Sequence, residues 1–223
     1  MSREYPKNGA IDVRDVTKKY QRKTVFENLS LEVESGMFTL LMGPSGSGKT
    51  TLLNLMSGLD TPDSGEVVRE GRDITKLSKT ERGLFRAASG LVFQRPRLIG
   101  GLSARRNIEI GHELTGHHID EAWTDELVDQ FRVSRILEQP ASQLSLGQAQ
   151  RIATISALAH RPSVVFADEP TASLDTDASR DVHNVLRHAA NDGTTIVMVS
   201  HDESARQYAD VVFPMKDGKV EKS

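Results

Sequence analysis

The octapeptide "GPSGSGKT" brings glycines, small hydroxyl residues and one lysine together at the spacing G-x-x-x-x-G-K-[ST]. Its residues are Gly43, Pro44, Ser45, Gly46, Ser47, Gly48, Lys49 and Thr50. Glycines leave the backbone free to curl, so that consecutive N–H groups can point at one anion. A helix starting at the end of such a loop adds its own unpaired N–H groups and the positive end of its dipole. Lys49 is then placed for β- and γ-phosphates, the Thr50 hydroxyl for Mg²⁺, and Thr51 for the α-phosphate side. A flexible turn with a surface lysine has the same composition. The apolar run "MFTLLM" before the loop and the helical spacing of "KTTLLNLMSGL" after it favour the phosphate cradle.

A second group of chemical residues lies far along the chain. "VVFADEP" puts Asp168 and Glu169 at the end of an apolar strand, and ligands of open parallel sheets bind at that edge. Neighbouring strand residues point to opposite sides, so the two acids can divide their work. Asp168 suits Mg²⁺, and Glu169 suits polarising a water that attacks the γ-phosphate. His201, after "TIVMVS", can donate a hydrogen bond to that phosphate. Gln94, after "LVF", offers an amide to Mg²⁺ or the attacking water. A strand-end histidine is often only structural, and a loop glutamine often only solvated.

These residues need a frame. Alternating apolar residues predict strands at Ile11–Val16 and Leu29–Val33, and "GEVVREGRDI" reads as a hairpin turning at Gly71. Ser78 and Glu81 form a capping-box pattern before a helix. Residues 96–160 are mostly helical in pattern, with "SARRNIEIGHEL", "DEAWTDELVDQF" and "GQAQRIATISALAH". Strand and helix patterns alternate again from "SVVFADEP" through "DASRDVHNVLRHAAND", "TTIVMVSHD" and "ESARQYAD" to a closing hairpin "VVFPMKDGKV". Alternation of this kind predicts a parallel sheet covered on both faces, with 96–160 inserted into it.

The chain has 223 residues, a net charge of −3, 37% hydrophobic residues and no cysteine. That suits one domain with inserted parts and excludes disulfides and thiolate metal sites. The polar start "MSREYPKNGAID" is not a leader pattern, and no apolar run reaches the roughly 18 residues a membrane span needs. The expectation is a soluble, cytosolic chain that does not bind nucleic acid and reaches a membrane only through a partner.

Taken in order, "GPSGSGKTT", "VFQ", "LSLGQ", "VVFADEPTASLD" and "VSHD" resemble the nucleotide-binding subunit of ATP-binding cassette (ABC) transporters, over essentially the whole chain. The resemblance implies an α/β fold: a RecA-like P-loop NTPase core with an antiparallel β-subdomain (1–95 and 161–223) and an inserted helical subdomain (96–160). It implies Mg-dependent ATP hydrolysis by a homodimer bound to an integral membrane permease at the cytoplasmic face, without direct contact with the transported substrate. Each nucleotide is then held between the phosphate loop of one chain and Ser145, Leu146, Gly147 and Gln148 of the other. Tyr20 matches the aromatic that stacks on adenine, Asp175 the loop crossing the dimer, and Gln94 the loop facing the permease.

"LLNLMSGLDTPDSGEV" with "FADEPTASLD" narrows the resemblance to the branch of macrolide exporters, lipoprotein-release complexes and haem exporters, whose permease has four membrane helices. "LSLGQAQR" leans toward haem or another hydrophobic cargo. Cell-division cassettes, which regulate a membrane partner without transport, are the alternative. Soluble ABC ATPases of translation or DNA repair usually carry two cassettes or a long coiled-coil insert, which this chain lacks.

One position departs from the family. Leu146 stands where the family usually has glycine, so its backbone should keep a negative φ and its side chain should point away from nucleotide. Elsewhere, His112, His117 and His118 read as an exposed loop rather than a metal site. Arg105 and Arg106 fit either a permease contact or a solvated helix face. "KDGKVEKS" reads as a frayed terminus.

Overall fold

The computed structural model describes residues 10–21 and 23–220, without the side chain of Leu114. The first nine residues of the polar opening lie outside it. Four strands form an antiparallel sheet: β1 (Ile11–Tyr20), β2 (Lys23–Val33), β4 (Ser64–Arg69) and β5 (Arg72–Asp73), in the order β2-β1-β4-β5. The β4–β5 hairpin turns at Gly71 as expected, with left-handed backbone at Glu70 and Gly71. The second sheet contains β3 (Phe38–Met42), β6 (Gly90–Val92), β7 (Val164–Asp168), β8 (Thr195–Ser200), β9 (Val211–Lys216) and β10 (Lys219–Val220), in the order β10-β9-β3-β8-β7-β6. Its five longer members run parallel, and β10 folds back antiparallel on β9.

Strands β3 and β8 are buried along their whole length, as the continuous apolar runs "FTLLM" and "TIVMVS" require. Alternation then sorts their side chains between two cores. Phe38, Leu40 and Met42 pack in one core with the helices α3 (Ala104–Thr115), α4 (Glu121–Gln130), α5 (Leu146–Leu158) and α6 (Thr176–Asn191). Leu41, Phe166, Val197 and Val199 face the other core, shared with α1 (Lys49–Ser57) and the antiparallel sheet.

Helix limits follow local chemistry. Ser103, Asp120, Ser145 and Asp175 cap α3 to α6 by accepting backbone N–H bonds. The predicted Ser78–Glu81 capping box is present in both directions at the head of α2 (Lys79–Ala87). Left-handed Gly58 and Gly116 end α1 and α3.

Two expectations are corrected. His112 is not on an exposed loop: it lies on the inner face of α3, 7% exposed, bonded to the Ser156 carbonyl and packed on His160. The helical period that buries Ile108 also buries the residue four positions later. Nor is 216–220 frayed, since it completes the β9–β10 hairpin. Among the described residues, no helix is long and apolar enough to cross a membrane.

Candidate functional site

Three parallel strands and the phosphate loop deliver their C-terminal ends to one cleft of 860 Å³. It is lined by Tyr20, Pro44, Ser45, Gly46, Gly48, Lys49, Thr50, Thr51, Gln94, Glu169 and His201, which brings together most of the residues singled out in the sequence. Gln94 lies two residues beyond β6 rather than at its tip.

The loop has the geometry of an anion cradle. Gly46 and Gly48 have φ of 80° and 103°, which only glycine takes without strain. A Cβ on Gly48 would come 2.7 Å from the Phe26 ring. No side chain caps the N-terminus of α1, so its first N–H groups remain available to a ligand. The Ser47 hydroxyl is buried and finds no protein partner. Lys49 is 6% exposed and donates to the Gly43 and Pro44 carbonyls at 2.7 and 3.1 Å. Its Nζ is 4.0 Å from a Glu169 oxygen. A buried ammonium wrapped by its own loop, beside unpaired N–H groups, suits a polyphosphate.

The metal-side residues meet as well. Thr50 Oγ1 donates to Asp168 Oδ1 at 2.9 Å. Burial pushes the Asp168 carboxyl above its ordinary value; the Thr50 bond pulls it down, and the Glu169 charge pushes it up. A hard divalent cation, bound by these two oxygens, would relieve that burial of charge, so the donor set fits Mg²⁺.

Glu169 reaches its place by a route that alternation does not supply. β7 ends at Asp168, and Glu169 turns into left-handed backbone with φ of 47°. Its N–H still bonds the Val199 carbonyl at 3.0 Å. The two acids therefore diverge because the chain turns between them. Glu169 Oε2 lies 2.9 Å from His201 Nδ1, so the base candidate and the strand-end histidine form one pair.

Ser145, Leu146, Gly147 and Gln148 line a different recess, together with Asp175 and Arg151. One chain does not bring them to the phosphate cleft. Ser145 Oγ accepts from the Gln148 N–H, and Gln148 Oε1 accepts from the Ser145 N–H, a capping box that starts α5. Leu146 is the first residue of that helix, has no positive φ and is 45% exposed. Asp175 caps α6 through the Ala178 N–H. Arg105 pairs with Glu138, and Arg106 binds Glu113 through its two terminal guanidinium nitrogens, which favours the solvated-face reading of both.

Sequence reasoning missed the other wall of the cleft: Lys23, Thr24, Val25, Asp217 and Gly218. Gly218 donates its N–H to the Ser47 carbonyl. A Cβ there would come 2.0 Å from the Val25 carbonyl, and one on Gly43 would come 2.1 Å from the Met215 carbonyl. The closing hairpin thus clamps the phosphate loop against β2. Only the turn signal Asp-Gly was visible in the sequence, and it says nothing of what the turn touches. Gly218→Ala is expected to weaken nucleotide binding roughly tenfold, because relief of the clash must displace the loop. Gly193→Ala is a control: φ is 95° but nothing lies within 4 Å, so it bears strain alone. Thermal shifts with and without ADP separate the two. Gln150 was also missed: buried in α5, it donates to the Phe93 carbonyl at 3.0 Å, tying that helix to the residue before Gln94.

Comparison with known proteins agrees with this geometry. The ABC transporter family matches residues 26–172. An uncharacterised ABC transporter ATP-binding protein of Methanocaldococcus jannaschii, MJ1508, is 37% identical over 94% of this chain and 97% of its own length. The sulfate/thiosulfate import ATP-binding protein CysA of Synechococcus elongatus is 39% identical over 97% of this chain and 63% of its own length. The macrolide export ATP-binding/permease protein MacB of Bdellovibrio bacteriovorus is 32% identical over 95% of this chain, which spans only 33% of that longer protein. Among solved structures, the cassette MJ0796, a dimer in a post-hydrolysis state with ADP and Pi, superposes with a TM-score of 0.85 at 32% identity, over 95% of this chain and 97% of that one. The expected RecA-like core with antiparallel and helical additions is the fold these cassettes share. With its phosphate cradle, paired acids and family match in agreement, the chain belongs to the ABC transporter family and is an ATP-hydrolysing, ATP-binding subunit of a transporter.

Proposed function

We propose that two copies of this chain pair head to tail and power a membrane exporter whose permease is a separate four-helix protein. The observation that carries the pairing is the separation of the two half-sites. The recess of Ser145, Leu146, Gly147, Gln148 and Asp175 shares no residue with the cleft of Lys49 and Glu169. The N-terminal end of α5, with Ser145 as its cap, is then presented to the nucleotide of the partner copy, with residues 96–160 as the helical unit bearing it. That the cassette MJ0796 is a dimer with ADP and Pi supports pairing of two copies.

In this reading Tyr20 carries the adenine, and the loop from Gly43 to Gly48 wraps the phosphates with its N–H groups. Lys49 leaves its own carbonyls for the β- and γ-phosphates, and Thr51 serves the α-phosphate. Thr50, Asp168 and Gln94 are the residues that would hold Mg²⁺, and the ion would supply charge neutralisation to the phosphate oxygens. Glu169 accepts the proton of the attacking water, and His201, already bonded to Glu169, orients the base and reaches the γ-phosphate.

The permease fits a groove of 410 Å³ beside Gln94, lined by Phe93, Arg86, Arg97, His112 and His160. Arg97 stacks on the Phe93 ring at 4.1 Å, which presents a cation next to the Gln94 stretch. Burial holds His160 down to about 4, so its imidazole is neutral near pH 7 and the arginines carry the positive charge of the groove. MacB-type relatives and the run "GLDTPDSGEV" support export, and "LSLGQAQR" is the stretch that points to haem or another hydrophobic molecule as cargo. A cassette that only regulates its membrane partner would share the same cleft, and no observation favours it. The chain would sit at the cytoplasmic face of the membrane through the permease. Co-expression with a four-helix membrane permease of the same source should give a complex with stimulated ATPase activity, and Arg97→Glu should weaken that complex. A complex indifferent to Arg97→Glu would remove the groove from the interface.

A further inference from the structure

We propose that Asp60, backed by Lys18, is a positioning residue that holds the Tyr20 ring ready for the nucleotide base. The proposal rests on the reading of Tyr20 as the base platform. Tyr20 is the last residue of β1 and is 45% exposed, a position at which a tyrosine ring would ordinarily sample several rotamers. Here it does not stand free. Its hydroxyl donates to Asp60 Oδ2 at 2.5 Å. The other Asp60 oxygen accepts from Lys18 Nζ at 2.9 Å and from the Thr61 N–H at 2.7 Å. Lys18 is 7% exposed, donates again to the Thr61 carbonyl at 2.7 Å, and lies 4.8 Å from the Tyr20 ring centroid.

The loop that carries Asp60 is itself tied down on both sides. The Asp60 N–H bonds the Asn54 carbonyl of α1, the helix that begins with Lys49, Thr50 and Thr51. The Lys19 N–H bonds Asp63 Oδ2 at 2.6 Å, and the Asp63 N–H bonds the Thr17 carbonyl at 2.9 Å. One carboxylate therefore joins the aromatic on the antiparallel sheet to the helix at the phosphate end of the cleft. The direction of titration agrees. Burial, then the bond and charge of Asp60, push the Tyr20 phenol above its ordinary value. Burial alone would raise Asp60, but the bonds from Tyr20 and Lys18 outweigh it and leave it low.

An aromatic fixed before binding does not lose rotamer freedom on binding, which is worth about 3- to 10-fold in affinity for one side chain. Asp60→Ala by itself would leave the Lys18 ammonium buried and unpaired, so the test uses the Lys18→Met/Asp60→Ala pair, which removes both charges. The full-length chain is titrated with ADP and assayed with ATP, alongside Tyr20→Ala, Tyr20→Phe and the triple variant. The expected result is a KM for ATP and a Kd for ADP raised about 3- to 10-fold in the paired variant, with kcat within about twofold of wild type. In the Tyr20→Phe background, which has already lost the hydroxyl, the paired change should add little. Wild-type affinity in the paired variant, with affinity lost in Tyr20→Ala, would overturn the positioning role and leave the platform standing. A full additional loss in the Tyr20→Phe background would show that Asp60 does not act through the hydroxyl. Wild-type affinity in Tyr20→Ala would remove the platform, and the positioning role with it.

Discussion

Glu169→Gln is expected to reduce ATP turnover by about 10²- to 10³-fold, the range for loss of a general base, while ATP still binds. Glutamine has nearly the shape of glutamate and keeps an oxygen toward His201, now 2.9 Å from the carboxylate. It also keeps the N–H bond to the Val199 carbonyl, so the left-handed turn that aims the side chain is undisturbed. What is lost is the capacity to take a proton. Removing a negative charge 4.0 Å from Lys49 leaves more of that ammonium for phosphate, so ATP affinity should rise or stay level. Steady-state phosphate release and a fluorescent-nucleotide titration check both halves. Wild-type turnover in the variant would take the base assignment away from Glu169.

Lys49→Ala acts at the other end of the reaction. Lys49 is nearly fully buried, so its charge is little screened, and among the described residues Lys23 is the one other lysine or arginine that lines the cleft. Its loss also leaves the Gly43 and Pro44 carbonyls without the donor that holds the loop. ATP affinity is expected to fall at least tenfold, in line with loss of a charge-assisted bond. Turnover should fall further, because negative charge shifts onto the leaving β-phosphate as its bond to the γ-phosphorus breaks, and Lys49 stabilises that charge. Unchanged affinity and turnover would refute the cradle.

The sequence exposed what is local and concealed what is assembled. The loop from Gly43 to Thr50 was legible because its glycines, hydroxyls and lysine are contiguous, and the buried strands were legible as unbroken apolar runs. The clamp of Gly218 on Ser47 and the bond between Tyr20 and Asp60 were not, because their partners are separated by long stretches of chain and meet only once β9 pairs with β3 and β4 pairs with β1. His112 was misjudged from its polar neighbours, although its helical spacing from Ile108 pointed inward. For the two acids, strand alternation does not reach Glu169, because the chain leaves the strand at Asp168 and turns. Leu146 kept the ordinary backbone its side chain demands, with the rest of the leucine turned to the surface.

The central claim is that each catalytic site is built from two chains, and mixing two inactive variants tests it directly. Lys49→Ala disables the cradle, and Gly147→Glu places a bulky anion where the partner's phosphate would approach. Each protein alone should be inactive. In a two-fold pair, a mixed dimer puts both defects in one site and leaves the other intact. Random pairing of equal amounts should therefore restore about a quarter of wild-type turnover. No recovery, with mixed dimers shown to form, would contradict a shared site.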